Sequence, residues 1–292
     1  MSWPGLLLPV AALLVVGLAV YAFWIEPCRI RLSRVELAIP NLPDSLDGLT
    51  ICHLSDTHTS RYGRLEKITR EILAGIDADL CVITGDLLRR RDGMHTLRRA
   101  LSALKPRLGV FAVPGNGDYK LRVRMSELAA ELTGHGINVL LNSRVTLSSN
   151  GSNLHIIGVD DPFLRLDDLT SAMSGIAEEG FRLLLAHSPD VLMSIGDRRV
   201  DLILAGHTHG GQVRLPFVGA LWLHSRYRLP ISDGYYDPET LSRVSSRDVS
   251  GACMYVSRGL SWSAIPIRFM CPPEIVLITL RRKFEERAKV VY

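Results

Sequence analysis

Leu202-Ile203-Leu204-Ala205-Gly206-His207-Thr208-His209-Gly210-Gly211 sets a short apolar run directly against two histidines enclosed by glycines. Four apolar residues ended by glycine read as a buried strand, and the histidines then stand at its carboxyl end. The same arrangement recurs upstream. Leu49 to Leu54 leads to Asp56 and His58, and Leu80 to Thr84 leads to Gly85-Asp86. Gly109 to Val113 leads to Gly115-Asn116-Gly117-Asp118, and Arg182 to Ala186 leads to His187. Leu154 to Val159 is a further apolar run. Leu65 to Ile76 and Met125 to Leu132 carry helical spacing between the strands. Strands alternating with helices predict a layered α/β fold.

Polar groups at successive strand ends converge in such a fold, because ligands bind outside the carboxyl ends of the strands. Leaving Asp118 aside, the five ends supply Asp56, Asp86, Asn116, His58, His187, His207 and His209. Mixed nitrogen and oxygen donors of this kind suit first-row divalent metals such as manganese, iron, zinc or cobalt. Each piece alone would more often be a cap, a turn or a core residue. The full ordered set, each member after a strand, is hard to obtain by chance.

That ordered set resembles the calcineurin-like metallophosphoesterases. The runs GHTHGGQVRLP (206–216) and MYVSRGLSWSAIPIRFMCPPEIVLITL (254–280) look more narrowly like the membrane-anchored bacterial branch. That branch includes the YkuE and YaeI type proteins and the chlamydial enzyme hydrolysing UDP-2,3-diacylglucosamine. The resemblance covers about residues 30–280. It implies a four-layer α/β/β/α sandwich with two divalent ions at the strand ends, manganese first and zinc, iron or cobalt as alternatives. Asp56, His58 and His209 would hold one ion, Asn116, His187 and His207 the other, and Asp86 would bridge both. Asp86, Asn116 and His207 are the implied catalytic residues. Two ions about 3.5–4 Å apart polarise a phosphoryl oxygen and activate water for in-line attack.

Gly117 departs from the family pattern, which places histidine there to assist the leaving group. Two readings stay open: an enzyme that has lost activity, or a substrate whose leaving group needs no proton. A phosphate monoester released from a pyrophosphate is such a group, since its second pKa lies near 6.

The N-terminal segment breaks the globular pattern. No charge occurs from Ser2 to Ile25, and Leu6 to Ile25 would form a helix about 30 Å long, matching a bilayer core. Trp3, Tyr21 and Trp24 sit where an aromatic belt would be. A cleaved signal ending near Val20-Tyr21-Ala22 is the alternative, but the n-region lacks Lys and Arg. Arg29, Arg31 and Arg34 follow the span, so the positive-inside rule leaves the remainder in the cytoplasm. The expected organisation is an anchor over residues 1–27 and a metallophosphoesterase domain over 28–292, at a cell inner membrane in a single pass.

Composition agrees. Apolar residues at 47% and charged residues at 22% exclude a disordered or fibrous chain. Five scattered cysteines without a CxxC exclude a disulfide scaffold or a cysteine zinc module. A net charge of +4 is too weak to argue for nucleic acid, so none is expected. Arg89 to Arg107 holds seven basic residues against one acid, Asp92, which reads equally as a solvated helix face or as a surface attracting anionic headgroups or a diphosphate substrate. Leu215 to about Asp248 reads as a long irregular loop, in which Leu221-Trp222-Leu223 is expected to pack inward, with contact to acyl chains or lipid as the alternative. His53, His95, His135, His155 and His224 match no motif position and are expected to be structural. The expected activity is hydrolysis of a phosphodiester or pyrophosphate in a membrane lipid or lipid-linked diphosphate, best UDP-2,3-diacylglucosamine of lipid A biosynthesis. A tethered phosphodiesterase of soluble substrates and a non-catalytic metal-binding scaffold are the alternatives.

Overall fold

A computed structural model of the chain describes residues 4–149, 151–249 and 251–282. Trp3 therefore lies outside the described residues. Helix α1 (Pro4–Val20) runs on through a π turn (Tyr21–Ile25) and a 3-10 turn (Glu26–Cys28) into β1 (Arg31–Ile39). Then follow β2 (Thr50–Leu54), α2 (Arg64–Leu73), β3 (Leu80–Thr84), α3 (Met94–Leu101), β4 (Val110–Val113), α4 (Met125–Gly134) and β5 (Ile137–Val139). The second half continues with β6 (Ser143–Ser149), β7 (Ser152–Gly158), α5 (Leu169–Met173), β8 (Phe181–Leu185), α6 (Leu192–Ile195) and β9 (Leu202–Ala205). A small ribbon, β10 (Arg214–Leu215) with β11 (Gly219–Ala220), precedes β12 (Gly234–Tyr236), α7 (Pro238–Ser245), β13 (Cys253–Val256) and β14 (Glu274–Arg282).

The long strands form two six-stranded sheets, ordered β1-β14-β2-β3-β4-β5 and β12-β13-β9-β8-β7-β6. In the first, β2, β3, β4 and β5 run parallel and β14 is antiparallel to β2. In the second, β7, β8, β9 and β13 run parallel. Parallel strands need both faces covered, and side chains alternate between faces at every residue. Ile51, Leu80, Val82, Leu183, Leu185, Leu202 and Leu204 enter one core, between the sheets. Their neighbours Cys52, Cys81 and Ile83 pack on α2, α3 and α4 through Leu73, Leu97, Leu128 and Leu132. Leu184 and Ile203 pack on α5, α6 and α7 through Ala172, Leu192 and Leu241. The result is the four-layer α/β/β/α sandwich.

The strands read from sequence are present to within two residues. The stretch 215–248 differs from the expected irregular loop. It contains the ribbon strand β11, β12 and the whole of α7, whose Asp237 side chain caps Thr240 N at 2.7 Å. The N-terminal helix is long and apolar enough to cross a membrane over Leu8–Cys28. Leu8 is 79% exposed and Leu13 71%, so this is not a helix buried in the core.

Candidate metal centre

Register puts five strand ends side by side. β2, β3 and β4 end together in one sheet, β8 and β9 in the other, and the loops leaving them meet over the seam. Asp56, His58, Asp86, His207 and His209 all have φ between 41° and 69°. Non-glycine residues rarely adopt this left-handed region, and such strain is held where surrounding structure over-determines it. Here the brackets are backbone bonds between loops: Asp56 N to Gly85 O at 3.1 Å, His58 N to Asp86 O at 2.8 Å and Gly206 N to His187 O at 2.9 Å. Glycine permits the closest approach. A Cβ on Gly85, at φ +82°, would lie 2.2 Å from His187 Nδ1.

The structure brings all seven sequence-assigned residues together. Asp56, His58 and His209 form one cluster able to hold an ion, and Asp56, Asp86 and His187 form a second. Asp86 lies between them, with Oδ2 at 3.3 Å from His58 Nε2 and Oδ1 at 3.5 Å from His187 Nε2. His187 Nε2 also stands 3.2 Å from Asn116 Oδ1 and 2.9 Å from His207 Nδ1. His209 Nε2 is 3.3 Å from Asp56 Oδ1.

The surrounding bonds orient these groups. His187 Nδ1 is 2.9 Å from Thr84 O, which assigns the proton there and turns the Nε2 lone pair inward. Asp56 Oδ2 accepts from Ser55 Oγ at 2.6 Å and His207 N at 3.0 Å, leaving Oδ1 for the site. Asp86 Oδ1 accepts from Gly117 N at 2.5 Å. Asp118 turns away and braces the turn, accepting from Gly115 N, Leu87 N and Leu88 N.

Divalent ions fit this donor set. Asp56 Oδ1, His58 Nε2, His207 Nε2 and His209 Nδ1 are buried without a hydrogen-bond partner. Such orphaned atoms cost free energy unless something satisfies them. Burial takes His58 down to about 4 and His207 and His209 well below their ordinary value, so all three stay neutral, the form that binds metal. Burial also lowers His187, but Asp86, Asp56 and Asp161 outweigh it and raise it to about 9. Burial lifts Asp56 to about 6. Asp86 moves the other way: burial raises it, but His187, His58 and His207 win and hold it below the usual carboxylate range. Bound divalent ions would compensate the buried carboxylates and satisfy the unpartnered imidazole nitrogens.

Several neighbours had no sequence signal. Phe163 packs at 4.6 Å and His224 at 5.8 Å from the His207 ring. Arg268, fully buried, donates to Arg258 O, Gly259 O, Ser261 O and Cys271 O. It thereby holds the loop whose Ser261 N donates to Asp56 O at 3.0 Å. The other unassigned histidines are structural or exposed. His53 Nε2 meets Thr84 Oγ1 at 2.8 Å, His155 bridges Thr146 and Glu179 O, and His95 and His135 face solvent.

Three of the seven basic residues in the run Arg89 to Arg107 sit in surface ion pairs. Arg90 pairs with Asp92, Arg91 with Glu131 and Arg107 with Asp79, while Arg89 donates to Trp262 O and Ser263 O.

A sequence profile of the family described as "Calcineurin-like phosphoesterase" matches residues 49–211, which span every one of the seven residues. The chain belongs to the calcineurin-like phosphoesterase family. This metallophosphoesterase is 32% identical over 270 residues to the uncharacterized metallophosphoesterase YkuE of Bacillus subtilis (strain 168), covering 89% of each chain. It is 30% identical over 265 residues to the phosphodiesterase YaeI of Escherichia coli (strain K12), covering 89% of this chain and 92% of that one. To the UDP-2,3-diacylglucosamine pyrophosphatase LpxG of Chlamydia trachomatis it is 27% identical over 311 residues, covering 89% of this chain and 92% of that one. The family are metal-dependent hydrolases of phosphoesters, and the Asp/His clusters are where this member would hold its metal.

Proposed function

We propose that the chain is a membrane-anchored two-metal hydrolase that cleaves the P–O–P bond of a lipid-linked diphosphate, with UDP-2,3-diacylglucosamine as the best candidate. Asp56, His58, His209 and Asp86 hold one ion, and Asn116, His187, His207 and Asp86 the other. Manganese is the first choice for both. Bound ions would supply Lewis-acid polarisation of the phosphoryl oxygens and lower the pKa of an attacking water. The chain's own residues fix the donors: Thr84 O sets the His187 tautomer, and Ser55 and the His207 amide orient Asp56.

The observation that carries the substrate class is Gly117. It presents only an N–H, spent on Asp86 Oδ1, where the family pattern has a histidine. A Cβ there would lie 2.7–2.9 Å from the atoms of the Asp86 carboxylate, so replacing Gly117 by His would first displace Asp86 and not restore an acid. Water attack on one phosphorus of a pyrophosphate releases two phosphate monoesters. The departing one leaves as an anion without protonation. An alkoxide gains about 10²–10⁴-fold from a general acid and would lack that help here. The test is a leaving-group series on purified, metal-supplemented protein. Pyrophosphate-linked lipid and nitrophenyl esters should turn over, with alkyl diesters slower by about two orders of magnitude or more. Equal rates would remove the argument. Soluble nucleotide diesters outrunning the lipid would favour a tethered phosphodiesterase instead, and no turnover of any substrate would favour a metal-binding scaffold.

We further propose that residues 1–27 are a retained single span of an inner membrane, with residues 28–292 in the cytoplasm. Supporting retention, buried Glu26 at the end of the helix accepts from Met270 N and Cys271 N, at 2.9 and 2.6 Å. Supporting the orientation are Arg29, Arg31 and Arg34 just past the helix. An alkaline phosphatase fused at the C-terminus should then be inactive; an active fusion would reverse the topology.

A further inference from the structure

The N-terminal helix joins the sandwich at its metal-bearing end. Arg31, three residues beyond Cys28, pairs with Glu274, and Val276 of the same strand pairs with His53 near the carboxyl end of β2. The junction is docked, not loose. Arg268 N donates to Ala22 O at 3.0 Å, and Tyr21 meets Phe269 edge-on at 6.2 Å. Cys271, whose amide is held by Glu26, contacts His209 O through its Sγ at 3.3 Å.

The ribbon β10–β11 grows from the same point. Phe269 N donates to Gln212 O and Arg214 N to Phe269 O, both at 2.9 Å. At about 3.3 Å per residue, Phe217 lies no more than about 10 Å beyond Arg214. Nothing among the described residues covers its tip. Phe217 is wholly exposed, Val218 is 67% exposed and Trp222 70%. Leu221 and Trp222, expected from sequence to pack inward, therefore face out. Outside the helix, the exposed large hydrophobics among the described residues fall in three segments: Leu164–Leu166, Leu215–Tyr227 and Ile265–Met270. The first follows β7 at its carboxyl end, so all three belong to the metal end. Contiguous exposed apolar surface marks an interaction site. Residues 206–232 contain no Asp or Glu, and exposed Arg226 and Arg228 flank Tyr227. Apolar wedges bordered by arginine and aromatic rings suit a headgroup region bearing anionic lipid.

We propose that the metal-bearing end of the sandwich rests on the bilayer that the N-terminal helix crosses, with the ribbon tip Pro216-Phe217-Val218 and Leu221-Trp222 inserted among its lipids. This rests on the reading of the helix as a span. A lipid headgroup would then reach the metal centre without its acyl chains leaving the membrane.

The test uses the full chain in nanodiscs of phosphatidylethanolamine and phosphatidylglycerol, in a Cys28→Ser background; the other four cysteines are buried. A Phe217→Cys variant carries an environment-sensitive fluorophore, and lipids bearing a headgroup-level nitroxide serve as quencher. An Ala177→Cys variant, exposed ahead of β8 at the opposite end of the sheet, is the reference. For insertion of about 5–10 Å, the 217 signal should be blue-shifted and lose roughly half its intensity, with none lost at 177. Equal quenching at both positions, or none at 217 in an embedded chain, overturns the proposal. Release of the chain from membranes by alkaline carbonate overturns the span and the proposal with it. Neither readout depends on activity, so a wrong substrate would leave both intact.

Discussion

The two sheets contribute unequal chemistry to one site. The first, through the loops after β2, β3 and β4, supplies every oxygen donor of the candidate set (Asp56, Asp86 and Asn116) and a single imidazole, His58. The second, through the ends of β8 and β9, supplies only imidazoles: His187, His207 and His209. Neither set closes a site alone. The carboxylates of the first would be buried close together without compensation, and the three imidazoles of the second carry no negative charge to offset a divalent ion. A filled site therefore reports that the sheets are docked in register, which links metal binding to folding.

The largest break in that pairing comes from Asp86, the carboxylate placed between His58 of one sheet and His187 of the other. Asp86→Ala should remove both ions together and lower phosphoesterase activity by about 10³-fold or more, while the far-UV spectrum is kept. Elemental analysis of the purified variant checks this. Two ions per chain in that variant would dissolve the assignment of Asp86 as the shared ligand.

The strand ends and the segment 212–271 are unequally legible in the sequence. Strand ends can be read because each is a local event: a short continuous apolar run, then within a few residues a ligand-type side chain, at three of the five ends beside a glycine. The seven candidate residues followed from that pattern without any knowledge of pairing. The segment 212–271 resisted the same reading because its order is tertiary. Arg268 is a surface residue by composition, yet it is wholly buried among carbonyls contributed by 258–271. Trp222 is a core residue by composition, yet it is exposed. Phe163 and His224 reach His207 from loops with no periodicity. The sequence alone suggests that a histidine installed at 117 would help alkyl esters; the obstacle to that, the Asp86 carboxylate 2.7–2.9 Å from where a Cβ would stand, is 31 residues away in sequence.

A gentler test of the pairing presses the seam apart without replacing any of the seven residues. Gly206 ends β9 in the second sheet. A Cβ there would sit 1.8 Å from Ser55 Oγ and 2.5 Å from Asp56 Oδ2, both after β2 in the first. Ser55 is fully buried and already bonded to Thr84 O and Asp56, so it has little room to yield. Gly206→Ala should destabilise the protein by about 1–3 kcal/mol, the usual cost of overpacking, and weaken metal binding together with stability. Denaturant titration in detergent, with and without chelator, measures both. Full stability with two tightly held ions would mean that the sheets do not meet this closely.

The smallest expected effect sharpens the comparison through pH. His53 points from β2 toward the second sheet, its ring 6.3 Å from Tyr255 of β13, and it is fully buried with Nδ1 lacking a hydrogen-bond partner. Burial lowers its pKa from 6.5 to about 3, so the folded chain keeps it neutral. The unfolded chain, titrating near 6.5, binds the proton first as pH falls. Its contribution is thus fully present above about pH 6.5 and is lost as pH drops toward the folded value, by roughly 1 kcal/mol for each unit. His58, His207 and His209 act in the same direction, so the slope of the parent alone does not isolate His53. His53→Asn removes this one proton while keeping an amide near Thr84. The stability difference between parent and variant should shrink by roughly 1 kcal/mol per unit between about pH 6 and pH 4. A difference that stays constant across that interval would mean that His53 is hydrated in the folded chain, and that the seam is open to water beside the metal centre.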